Sequence, residues 1–147
     1  MHTSQNAAFH GTVSPDIEYE HPPGALLART LEHVLHEKDW EPQPFDNWRD
    51  VGWSIICARA GEKLQVALAK SAGDEWFLQV APEQSPGFLG RLFRGVPSAS
   101  SASCYSLARD IHNFLVSFGT FSEIRWRWDG PPDQESSKEP EPAHSAG

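Results

Sequence analysis

The sequence predicts an α+β domain, a two-layer sandwich in the order α-β-β-β-α-β, with helices on one face of a mainly antiparallel sheet. Three observations lead there. Apolar residues recur at helical spacing over residues 23–38 and 104–118. They alternate at period two over residues 52–59, 62–70, 75–81 and 121–128. Short links containing Ala60-Gly61 and Ala72-Gly73-Asp74 join the first three strands as hairpins.

Residues 1–22 are polar and lack a period, and residues 131–147 are rich in Pro, Glu and Ser. Neither segment offers enough apolar surface to offset chain entropy, so both are expected to be disordered tails around a single domain at 23–130. The first helix carries Leu27, Leu31, Val34 and Leu35 on one face, with Pro23 suited to its first turn. Pro42 and Pro44 make residues 39–50 a connector, which Trp40, Phe45 and Trp48 are expected to pin to the core. The first strand contains Trp53, Ile55, Ile56 and Cys57; the next two alternate Leu64, Val66 and Leu68 against Gln65, Ala67 and Ala69, and Trp76, Leu78 and Val80 against Phe77, Gln79 and Ala81. One face can thus be buried while the other stays small or polar.

The second helix shows one continuous stripe, Cys104, Leu107, Ala108, Ile111, Phe114, Leu115 and Phe118. Serines precede it as a cap, and Gly119 is placed to stop it. In the last strand Ile124, Trp126 and Trp128 face one way and Glu123, Arg125 and Arg127 the other.

Net charge is −8, which opposes general nucleic-acid binding because phosphate neutralisation needs a basic face. Arg125-Trp126-Arg127-Trp128 does not reverse this, since alternation separates the arginines from the tryptophans that would stack on bases. Only two cysteines occur, pointing to a reducing cytoplasm, and no apolar run is long enough to span a membrane.

Catalytic and cofactor motifs are not assembled. His33 and His36 have ligand spacing but no third partner, so no metal is expected. Cys104 begins an apolar stripe and reads as core, and the glycines at 87, 90 and 95 lack the spacing of a phosphate loop. No cofactor is expected.

Residues 86–97 stand out instead. Phe88, Leu89, Leu92 and Phe93 sit among Arg91 and Arg94, either a lid on the core or an exposed anchor with a basic rim. The function expected from the sequence is a non-enzymatic module that binds another protein. Its contact surface is either Phe88, Arg91, Phe93 and Arg94, or the sheet face bearing Arg125, Arg127, Gln65 and Gln79. The alternative is a small-molecule-binding domain or minor enzyme, with Trp53, Tyr105, Arg109 and His112 lining a pocket between sheet and helices.

Overall fold

Alternating side chains produce long strands where the sequence predicts them: β4 (Gly52–Arg59), β5 (Glu62–Lys70), β6 (Glu75–Pro82) and β7 (Ser122–Trp128). The computed structural model describes residues 4–83, 100–133 and 136–143. Among the described residues two helices accompany the strands, α1 (Ala25–Glu37) and α2 (Ser101–Phe118). Three more strands complete the sheet: β1 (Gln5–His10), β2 (Glu41–Pro42) and β3 (Asp46–Trp48). The class is α+β, with a seven-stranded sheet in the order β2-β4-β5-β6-β1-β7 and β3 also paired to β4. Every strand pairing is antiparallel.

The expected element order therefore needs correcting, because the chain begins with a strand. Residues 1–22 were expected to lie outside the domain as a disordered tail. Gln5–His10 instead inserts between β6 and β7, with Ala7 opposite both Leu78 and Trp126. The large neighbours explain why so modest a segment is held. Ala7 and Phe9 have no exposed surface, because Leu78, Trp76 and Trp126 supply the bulk around them. An inner strand also has its backbone groups satisfied on both sides, which compensates for weak side-chain hydrophobicity.

The crossing from β1 to α1 is tied down by polar contacts. Asp16 accepts hydrogen bonds from the Arg29 guanidinium at 3.0 and 3.1 Å and from the Glu18 and Tyr19 amides. The Arg29 bonds chiefly hold its carboxyl down to about 2. Helix α1 starts two residues after Pro23, behind Gly24 at φ 102°. A side chain there would be strained, and a Cβ would meet the Trp76 ring at 2.8 Å.

The caps of α2 follow the sequence expectation. Ser100 Oγ accepts from the Ser103 amide at 3.1 Å, and Gly119 closes the far end at φ 86°. Glu62 reaches over from β5, accepting the Ser100 N–H at 2.8 Å and the Ser103 hydroxyl. A carboxylate there also complements the positive end of the helix dipole.

In the 39–50 connector, Trp40 is buried and Phe45 packs against the core, as expected. Trp48 departs from expectation. It pairs with Gly52, whose parity is opposite to that of the buried Trp53, Ile55 and Cys57.

The C-terminal segment, expected to be a disordered tail, also makes defined contacts. Trp126 and Ser137 exchange backbone hydrogen bonds of 2.7 and 3.1 Å. The Trp128 indole donates to Glu141 O at 2.9 Å, and Pro140 is buried. Composition misled here because β7 is an edge strand, whose unpaired backbone groups attract any extended segment.

One cluster gathers the core: Leu27, Leu31 and Leu35 of α1, Leu107, Ile111 and Leu115 of α2, and same-parity residues of β1, β4, β5 and β6 with Trp126 of β7. No described helix is long and apolar enough to cross a membrane.

Candidate functional site

The sheet face opposite that cluster carries the residues of the other parity. The pairings align them in two transverse rows. One row runs Trp48, Gly52, Ala69, Phe77, Ala8, Arg125. The next runs Asp46, Ser54, Ala67, Gln79, Asn6, Arg127. Between Trp48 on one side and Phe77 and Gln79 on the other, β5 presents only Ala67 and Ala69. The result is a trough floored by these two alanines.

The trough opens into a cleft of about 340 Å³, which reaches from Trp48 and Ala67 past Phe77 to Asp129, Pro131 and Pro132. A smaller hollow of about 150 Å³ shares Trp48, Ala67 and Gln79 and continues toward Gln65, Ala81 and Arg49. Ala67 is only 7% exposed, although no residue of α1 or α2 lines either hollow. Phe77 is exposed on the opposite wall. Arg49 lies over the Trp48 ring at 5.3 Å, which steadies that wall.

The far end is fixed by hydrogen bonds. The Asn6 amide donates to Ser4 Oγ at 3.2 Å, Arg127 O at 3.4 Å and Gly130 O at 3.1 Å. Arg127 in turn donates to Asp133 at 3.2 Å and to Pro131 O at 3.5 Å, setting the proline wall. β1 therefore supplies part of the site as well as part of the sheet.

Beside Arg125 lies a third hollow of about 280 Å³, lined by His10, Glu75, Glu123 and Asp133 among others. His10 Nδ1 is 3.1 Å from Asp74 Oδ1, while its Nε2 stands 3.5 Å from both Glu75 and Glu123. The hydrogen bond with Asp74 leads in raising the His10 pKa above its ordinary 6.5. Protonated His10 thus favours the folded protein. The contribution is complete below the ordinary value and is lost as pH rises through the raised one. In thermal melts from about pH 5 to about pH 8, His10→Gln should flatten a decline in Tm seen for the wild type toward the alkaline end. Identical pH profiles would contradict this assignment.

The sequence-predicted site residues divide into three groups. Phe88, Arg91, Phe93 and Arg94 lie outside the described residues. Arg125, Arg127, Gln65 and Gln79 share one face, as period-two spacing requires. Trp53, Tyr105, Arg109 and His112 border none of the hollows above. Trp53 is buried beside Phe45 and Tyr19, its indole donating to Pro22 O at 2.9 Å. His112 accepts the Trp126 indole N–H at 3.1 Å. Tyr105 is half-buried on α2 and Arg109 is exposed there.

Trp48, Ala67, Ala69 and Asn6 were not singled out from sequence. Small residues carry no chemical signal, and the importance of Trp48 depends on a pairing that its proline-containing connector obscures.

Nucleophile chemistry finds little support in the thiols. Burial pushes Cys57 up to about 12 and Cys104 up to about 11, so neither forms thiolate at neutral pH. His33 pairs with Glu37 at 3.3 Å on the exposed side of α1. Among the described residues no three His, Cys, Asp or Glu side chains are grouped to hold a metal ion. Comparison with family models, curated proteins and solved structures finds no match to this chain.

Proposed function

We propose that this protein is a non-enzymatic interaction module, a two-layer α+β domain that receives an extended apolar segment of another protein in the trough on the sheet face opposite α1 and α2. The observation carrying this reading is the floor of Ala67 and Ala69 between the Trp48 and Phe77 rings. A solvated antiparallel face ordinarily presents long polar side chains, which shield the sheet themselves. Here the floor is small and the walls are aromatic, the arrangement that accepts large side chains from a partner. Gln65 and Gln79 supply amides around it for backbone recognition. Two free thiols, Cys57 and Cys104, accord with a reducing compartment.

A small-molecule ligand is the second reading, favoured by a cleft of about 340 Å³, within the size range of ligand pockets. One pair of variants separates the two. A photo-crosslinking amino acid at Phe77 should attach a protein segment in cells. Ala69→Arg, at a half-buried position of the same floor, should fill the trough and lower affinity for that purified protein by about tenfold or more, with the native near-UV circular dichroism retained. Absence of a protein adduct, together with a metabolite that raises the Tm of the wild type alone, would replace the protein reading with the ligand one.

A further inference from the structure

A separate surface lies at the β7 edge of the sheet, where the chain's own C-terminal segment shows what fits. Ser137 pairs with Trp126 through two backbone hydrogen bonds, in antiparallel sense. Four residues on, the Glu141 carbonyl accepts the Trp128 indole N–H at 2.9 Å, and Pro140 between these anchors is buried. Ahead of this segment, Arg127 holds Asp133 at 3.2 Å. His112 of α2, whose pKa burial lowers, accepts the Trp126 indole N–H at 3.1 Å.

These contacts are of two kinds. The exchange with Trp126 uses backbone alone, so any extended segment could make it. The indole clamp and the buried proline are selective.

We propose that the β7 edge, with the Trp128 indole beside it, is a strand-addition site for an extended, proline-containing peptide of another protein, occupied in cis by residues 136–143. The connection from Trp128 to Ser137 is short. Such a tether gives the tail a high effective concentration at the site, so a peptide arriving in trans meets a built-in competitor. Release of the tail is then the step that makes the site available.

The test uses the full chain and a fluorescent peptide with the sequence of residues 136–143. Ser137→Pro removes the N–H that donates to Trp126 O, and Pro140→Asp disfavours burial at the second anchor. Each variant should bind the peptide about tenfold or more tighter than the wild type, since occupancy in cis reduces the competent fraction. Adding Trp128→Phe should reverse the gain, and a peptide carrying aspartate at the position of Pro140 should bind more weakly. Near-UV circular dichroism identifies a variant that fails to fold. In the wild type, the Trp126 amide should exchange slowly and be unaffected by dilution. Peptide binding that is equal in wild type and folded variants, or insensitive to Trp128→Phe, would overturn the proposal. So would a concentration-dependent dimer with exchanged tails, or a Trp126 amide that exchanges at the rate of free chain.

Discussion

Replacing Phe9 with Ala is expected to cost about 3–5 kcal/mol, a large part of the roughly 5–15 kcal/mol that keeps a domain folded. Phe9 has no exposed surface, pairs across the sheet with Trp76, and meets the Phe121 ring edge-on at 4.8 Å. Its loss would open a cavity between β6 and the turn that precedes β7. Those elements are fixed by their own pairings and cannot collapse inward to fill it. Ile17, a similar apolar residue only eight positions later, is 96% exposed. Ile17→Ala should change stability by no more than about 0.5 kcal/mol. Chemical denaturation of the two variants would decide the matter. Equal, negligible effects would mean that the N-terminal segment does not belong to the sheet.

Trp40→Ala should be comparably damaging, at about 3–5 kcal/mol. Its ring is 2% exposed, and the Arg59 guanidinium carbon lies 3.6 Å from the ring centroid. The indole N–H donates to Asp110 Oδ2 at 2.8 Å, and Arg59 stands 3.7 Å from the same carboxylate. Arg59 also donates to Lys38 O at 2.6 Å and Ser106 Oγ at 3.3 Å. One tryptophan therefore joins the end of α1, β4 and α2. Trp40→Phe retains a ring for Arg59 but removes the donor to a charged acceptor, and should cost about 1.5–3 kcal/mol. A Phe variant as unstable as the Ala variant would assign the effect to the hydrogen bond and contradict the packing argument.

The parts legible in the sequence were those with strong apolar contrast. β4, β5 and β6 alternate large residues with small or polar ones, and α2 has an unbroken stripe, so their positions follow from periodicity. β1 offers no such contrast. Its inward residues are Gln5, Ala7 and Phe9, and the bulk that buries Ala7 comes from Leu78 and Trp126, distant in sequence. The docked tail is obscure for a related reason. Its ordering comes from what β7 lacks, a second neighbouring strand, and nothing within Ser136–Ala143 indicates that.

The candidate site was legible only by parity. Gln65, Gln79, Arg125 and Arg127 could be placed on one face from period two alone. The trough itself depends on register, because Trp48 must pair with Gly52, and Asn6 with Gln79, before walls stand around Ala67 and Ala69. Trp53 and His112 misled because buried tryptophan and histidine also serve as hydrogen-bonding core residues. Trp53 has its partner in Pro22, and His112 in Trp126.

Residue-resolved amide exchange on the intact chain tests most directly whether the N-terminus completes this sheet and bounds its open face. The amides of Gln5–His10 should exchange as slowly as those of β5 and β6, with which they form one continuous hydrogen-bonded array. Exchange at the rate of unstructured chain across those six residues would contradict the fold and the site built upon it.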